Sequence, residues 1–232
     1  MLGIKGIDKI IFSPVPHSSS VIIAGDAGVL KTTFSMEAVK GELDKDPRGR
    51  CVYFSFKDPV EFLRRRFDIA PYEEKGQLRV YDYDDFLEYS ANGGGASRAL
   101  GGLLKVARKA DDQGDTSLSM VVLDPINTML HHVASGNIRN YVYHLFSQLE
   151  ELKTRNMVIC ESECPRGDSF IRPCRFLADG IIQLGMQETQ DDVIRYMEVL
   201  KMRGVHHSLK RFQLSYRQKE LKVLGPTYIS AV

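Results

Sequence analysis

The segment Val21-Ile22-Ile23-Ala24-Gly25-Asp26-Ala27-Gly28-Val29-Leu30-Lys31-Thr32-Thr33 runs from β-branched residues through a Gly-bearing turn into Lys-Thr. Residues of these types in this order make a phosphate site. The turn from Gly25 through Asp26, Ala27, Gly28, Val29 and Leu30 offers backbone N–H groups to phosphate oxygens, and the following helix adds partial positive charge at its N-terminus. The Lys31 ammonium reaches the outer phosphates, and the Thr32 hydroxyl, followed by Thr33, coordinates Mg²⁺. The match to the G-x-x-x-x-G-K-[ST] spacing is imperfect, because Leu30 stands where the second Gly belongs.

Two further groups bear chemistry. Met120-Val121-Val122-Leu123-Asp124 is an apolar run that ends in a carboxylate. At the carboxyl edge of a parallel sheet such an Asp holds the water shell of Mg²⁺. Lys201 and Arg203 alternate with Met202, so on a strand both cations project from one face. No obvious acidic partner lies on that face of their strand, and the pair reads either as a solvated edge strand or as a cationic finger aimed at the phosphate of a neighbouring subunit.

These residues need elements to hold them, and the chain supplies alternating strand and helix signals. That pattern builds an α/β fold with a mostly parallel central sheet flanked by helices. Helices are expected over 32–43, 60–67, 98–109 and 138–153, and strands over 51–56, 78–83, 120–124 and 157–160. The segments 180–184, 195–201 and 211–214 read as later strands. The Gly-rich stretch 90–97 reads as a loop.

The length of 232 residues fits a single domain over 1–232, and 43% hydrophobic content is ample for one core. The net charge of +1 argues against attraction of the whole surface to nucleic acid or an anionic membrane. Cys51, Cys160, Cys164 and Cys174 form no C-x-x-C pair, which points to free thiols in a reducing compartment, and no stretch is long enough to span a bilayer. A cytoplasmic protein is expected. The pairs His131-His132 and His206-His207 lack the i, i+4 spacing of a two-His metal site.

The whole chain resembles a single KaiC-like domain of the RecA superfamily of ATPases. Gly3-Ile4-Lys5-Gly6-Ile7-Asp8 is similar to the family's opening T-G-I-x-G-L-D, and Phe176-Leu177-Ala178-Asp179-Gly180-Ile181-Ile182 to its F-V-A-D-G-V-I. Lys201-Met202-Arg203-Gly204 with His207-Ser208 is similar to its K-M-R-G-x-x-H-S signature. The resemblance implies a RecA-like P-loop fold with a C-terminal antiparallel extension, binding of ATP and Mg²⁺ between subunits, and a homo-oligomer, commonly a hexamer. It also implies that Lys31, Asp124, Lys201 and Arg203 take part in catalysis, that Thr32 and Asp124 hold Mg²⁺, and that Lys201, Arg203 and His207 reach the nucleotide of the adjacent protomer.

Family members carry a Glu pair after the final Phe of the second strand, one of which prepares the attacking water. Here Phe54 is followed by Ser55-Phe56-Lys57-Asp58, and neither Ser55 nor Phe56 can act as a base. Asp58, Glu161 and Glu163 are the carboxylates left to substitute, and slow hydrolysis is expected. The segment 164–175 carries Arg166, Phe170, Arg172 and Arg175 where related recombinases place a loop that contacts single-stranded DNA. The leading reading is an ATP-binding oligomer that regulates a protein partner while hydrolysing slowly. The alternatives are a pseudo-ATPase acting as an interaction module and a recombinase paralogue on single-stranded DNA, the latter disfavoured by the near-neutral net charge of +1.

Overall fold

The computed structural model describes residues 2–91, 101–102, 104–105, 117–130, 133, 137–161, 171–188 and 192–227. Its strands are β1 (Ser20–Gly25), β2 (Gly49–Ser55), β3 (Leu78–Tyr81), β4 (Ser117–Asp124), β5 (Arg155–Glu161), β6 (Gly180–Glu188), β7 (Val193–Met202), β8 (Phe212–Arg217) and β9 (Glu220–Pro226). They form one sheet in the order β3-β2-β4-β5-β1-β6-β7-β8-β9. Every pairing from β3 to β6 is parallel, and those among β6, β7, β8 and β9 are antiparallel. The fold is therefore the mostly parallel α/β sheet with a C-terminal antiparallel extension that the sequence leads one to expect.

The helices are α1 (Lys31–Leu43), α2 (Val60–Arg66), α3 (Ala70–Glu74), α4 (Tyr83–Ala91), α5 (Ile126–Leu130), α6 (Ile138–Glu151) and α7 (Ile171–Leu177). They cover both faces of the sheet, which is why β1 is buried along its whole length and reads as a continuous apolar run. Val21 and Ile23 pack with Phe34, Met36 and Val39 of α1 in one core. Ile22 and Ala24 point the other way and pack with Val142 and Leu145 of α6 and Cys174 of α7.

Several local features depart from the sequence reading. The third strand stops at Tyr81, because the Asp82 carboxylate accepts the N–H groups of Asp84 (3.1 Å) and Asp85 (3.3 Å) and so caps α4. Asp85 returns the bond to the N–H of Asp82 at 2.9 Å, a capping box built from aspartates alone. Strand β9 follows β8 through Gln218 and Lys219, both with positive φ, so the hairpin turns without the Asn-Gly signal that normally announces it. Ile171 to Arg175 is helical rather than loop. Residues 164–170, 92–97 and 131–132 lie outside the described residues, and of the helix expected over 98–109 the described residues 101–102 and 104–105 are helical.

Parallel pairing brings the carboxyl ends of β1, β2, β4 and β5 to one edge, with Gly25 beside Glu161 and Ser55 beside Asp124. The opposite edge collects Val21, Gly180 and Met202.

Candidate functional site

The phosphate loop leaves β1 at Gly25, where a Cβ would stand 2.4 Å from the Leu184 carbonyl oxygen, so only glycine passes there. Gly28 has φ 81 and needs the freedom of glycine. Leu30 has φ 73 and ψ 30, the left-handed conformation that the G-K-[ST] pattern secures with glycine. The departure at this position is thus one of backbone conformation, costing about 1–2 kcal/mol for a residue with a Cβ. The backbone path survives the substitution: the Leu30 carbonyl accepts the first α1 bond from Phe34 N–H at 2.8 Å, and the side chain packs partly into the core.

Lys31 opens α1 and folds back over the loop, its Nζ donating to the Asp26 carbonyl at 2.6 Å. Burial lowers its pKa, and the carboxylates of Glu161 and Asp124 oppose that shift. Next to it, the Thr32 hydroxyl hydrogen-bonds Asp124 at the end of β4. Asp124 is buried, which pushes its carboxyl above the usual range, while the hydrogen bonds from Tyr53 and Thr32 pull it down. Tyr53 Oη donates to Asp124 Oδ2 at 2.5 Å and lies 2.8 Å from Ser35 Oγ. Ser35 also reaches the Thr32 carbonyl at 3.0 Å. One network therefore fixes Thr32 and Asp124 from behind. A hydroxyl and a carboxylate are hard oxygen donors of the kind Mg²⁺ takes from a protein when phosphates and water complete its shell, so the residues fit that ion.

These groups line a cavity of about 260 Å³ bordered by Lys31, Thr32, Lys57, Asp58, Asp124 and Glu161. Its outer wall is α2: Phe62 and Arg66 face the cavity, and Arg66 Nη2 lies 3.4 Å from Thr33 Oγ1. Strand β2 ends differently from the sequence reading. Ser55 and Phe56 are both buried, and Phe56 stacks on Phe54 with ring centroids 6.2 Å apart. The last buried Phe of this run is therefore Phe56, one residue past β2, and the residues that emerge into the cavity are Lys57 and Asp58. Lys57 Nζ pairs with Glu161 Oε1 at 3.2 Å.

The cations near the C-terminus stand at the other edge of the sheet. Arg203 N–H donates to the Asp179 carbonyl at 2.9 Å, and Asp179 N–H to the Ser20 carbonyl at 2.9 Å, so this turn abuts the start of β1. Six residues of β1 separate it from the phosphate loop, about 20 Å at the rise of a strand. Both cations have partners that the strand alone did not reveal. Arg203 pairs with Asp179 at 3.4 Å, and Lys201 Nζ caps the end of α7 through the carbonyls of Ala178 (2.5 Å), Phe176 (3.4 Å) and Arg175 (3.5 Å). His207 Nδ1 lies 3.0 Å from the Val205 carbonyl. The structure thus gathers Gly25 to Thr33 with Asp124 into one site and leaves Lys201, Arg203 and His207 apart from it. Tyr53, Ser35, Phe62, Arg66 and Asn127 escaped the sequence reading. Only Phe62 and Arg66, four apart on a helix beside the loop, left a signal.

Known proteins resemble this chain along nearly all of it. A KaiC-like protein of the archaeon Pyrococcus horikoshii superposes with a TM-score of 0.77 at 23% identity, covering 96% of this chain and 97% of that one. The UPF0273 protein of Thermotoga maritima is 24% identical over 95% of this chain and 93% of its own length. The circadian clock protein KaiC3 of Synechocystis is 25% identical over 97% of this chain, which spans only 45% of that longer protein. No helix among the described residues is long and apolar enough to cross a membrane. The family pattern described as "ATPase: KaiC" matches residues 1–228, and the chain belongs to this family of ATPases, a membership that implies nucleotide binding.

Proposed function

We propose that this protein binds ATP with Mg²⁺, assembles with copies of itself, hydrolyses ATP slowly, and uses its nucleotide state to regulate a protein partner. The observation that carries the reading is the convergence of Lys31, Thr32 and Asp124 on one cavity despite Leu30. The backbone amides of residues 27–33 and the Lys31 ammonium bind the phosphates, Thr32 and Asp124 hold Mg²⁺, and Phe62 with Arg66 closes the cavity toward solvent. Bound Mg²⁺ supplies charge neutralisation for the β- and γ-phosphates. Lys201, Arg203 and His207, too far from their own loop, serve the nucleotide of an adjacent copy in a hexameric ring, a reading that the likeness to the family supports. The buried thiols of Cys51 and Cys160, which take part in no disulfide among the described residues, support a cytosolic setting.

A second reading is favoured by Lys57, a cation in the first of the two positions where the family carries its Glu pair: a pseudo-ATPase that binds and does not turn over. Calorimetric titration with ATP, with and without Mg²⁺, and phosphate release on the same sample separate the two. Binding with measurable release supports the first, binding without release the second, and no binding removes both.

A further inference from the structure

We propose that the carboxylate that orients the attacking water is Glu161, delivered from β5 instead of from the end of β2, and that Asn127 and Lys57 position it. The inference rests on the ATP-hydrolysis reading above and names the residue that would perform it. Three observations converge.

The first is register: Glu161 pairs with Gly25, so its Cα sits one strand away from the first residue of the phosphate loop. Its side chain borders the same cavity as Lys31, whose ammonium marks the outer phosphates.

The second is a backbone clamp. The buried Asn127 side chain accepts the Glu161 N–H on Oδ1 at 2.8 Å and donates from Nδ2 to the Glu161 carbonyl at 3.3 Å. Both backbone groups of the residue just before the chain leaves β5 are thereby fixed, as a neighbouring strand would fix them. A carboxylate that must aim a water within a few tenths of an ångström needs such support.

The third is the ion pair. Lys57 takes Glu161 Oε1 at 3.2 Å, which anchors one oxygen, and 32% of the Glu161 side chain stays exposed. The alternative carboxylate, Asp58, also borders the cavity; it stands on the turn into α2, held there by the Ser55 hydroxyl on its backbone carbonyl at 2.6 Å, and its side chain is one methylene shorter than that of a Glu. Glu163 lies outside the described residues.

In the step this assigns, Oε2 accepts a hydrogen bond from a water whose oxygen forms a bond to the γ-phosphorus. The bond from that phosphorus to the bridging oxygen breaks, and its electron pair leaves on ADP. The water's proton passes to Oε2 and then to solvent, giving ADP and inorganic phosphate.

The test uses the full chain, radiolabelled ATP and Mg²⁺, with affinity measured by calorimetry and turnover by phosphate release. Glu161→Gln should keep ATP affinity within about threefold and lower turnover by about 10²- to 10⁴-fold, the usual contribution of a positioned base. Asp58→Asn should lower turnover at least about tenfold less than Glu161→Gln does. Asn127→Ala should lower kcat by about tenfold with KM unchanged, whereas a purely structural role would move both or unfold the protein. Loss of turnover in Asp58→Asn with turnover kept in Glu161→Gln overturns the proposal, as does a natural protein that binds ATP yet releases phosphate no faster than Glu161→Gln. In the latter case the binding reading stands. If the natural protein binds no ATP, that reading falls and the role of Glu161 falls with it.

Discussion

The two edges of the parallel sheet carry cations under opposite conditions. At the carboxyl edge Lys31 is buried, folded onto its own loop, and surrounded by Asp124 and Glu161. At the amino edge Arg203 keeps 59% of its side chain exposed and holds Asp179 at 3.4 Å. A cation buried beside fixed donors is already arranged for a ligand, and its removal leaves a binding site without its charge. An exposed, loosely paired cation costs little to release and can be redirected to a better anion. The first arrangement completes a site within one chain. The second makes sense at an interface, because about 20 Å of β1 keeps Arg203 from its own phosphate loop.

The contrast is tested most severely at Lys31. Hydrogen bonds to charged groups contribute about 1.5–3 kcal/mol each, and this ammonium can serve more than one phosphate oxygen, so Lys31→Ala should weaken ATP binding by about 10²-fold or more in calorimetry. Its melting temperature should change far less, since the ammonium is buried at a cost that removal relieves. Equal affinity in the variant and the natural protein would place phosphate binding elsewhere.

At the opposite edge the expected effect moves from affinity to assembly. Arg203→Ala removes an exposed ion pair of about 1 kcal/mol or less, so the isolated fold should melt within a few degrees of the natural protein. If Arg203 grips a nucleotide held by an adjacent copy, light scattering with ATP and Mg²⁺ should show assembly weakened by about tenfold, because a ligand held by two subunits stabilises the oligomer by mass action. Lys201→Ala should add a small loss of stability, about 0.3–1 kcal/mol, since its ammonium also caps the last carbonyls of α7. Identical masses for Arg203→Ala and the natural protein, with and without ATP, would make the two edges independent.

How far the sequence discloses this arrangement depends on whether a feature is local. The phosphate loop, the apolar β1 and the strand ending at Asp124 are visible because each is a short run whose period and terminal residue follow from burial on both faces. The placement of Lys57 and Asp58 is harder to read, since only packing shows that Phe56 is buried and that the emerging pair starts two residues later. The partners of Lys201 are invisible in the strand, because they are carbonyls of a helix that lies before it in the chain. Tyr53 and Asn127 have no motif at all: an aromatic in a core strand and an amide after a Pro acquire roles only when β2, β4 and β5 align. The β8–β9 turn stayed hidden because Gln218 and Lys219 take positive φ without the residues that usually do so.

Asp124 gives a smaller effect of opposite sign in stability and in function. Its buried carboxyl has its pKa raised above the ordinary 3.8, chiefly by desolvation. A folded-state value above the unfolded one means that its contribution is fully present below the unfolded value and is lost as pH rises through the folded one. Without Mg²⁺, Asp124→Asn should therefore melt at or above the natural protein near neutral pH, with the advantage fading toward acid, because the Asn oxygen still accepts from Tyr53. With Mg²⁺ and ATP the order should reverse, as only the natural protein gains the full stabilisation by ligand. A variant less stable than the natural protein at every pH without Mg²⁺ would show that Asp124 is structural first.

The smallest expected effect lies at Leu30, where strain and packing nearly cancel. Leu30→Gly relieves about 1–2 kcal/mol of left-handed backbone strain. Against this stand about 0.4–1 kcal/mol for the extra freedom of an unfolded glycine and roughly 1 kcal/mol for the half-buried side chain. The melting temperature should stay within a few degrees of the natural value. Leu30→Ala keeps the strain and forfeits the packing, so it should be the least stable of the three. Because φ 73 and ψ 30 already set the loop in its glycine-like path, ATP affinity should change by no more than about threefold in Leu30→Gly. A gain of tenfold or more would mean that the leucine side chain, which borders the cavity, obstructs the phosphates, and the carboxyl edge would then be a site partly closed by its own loop.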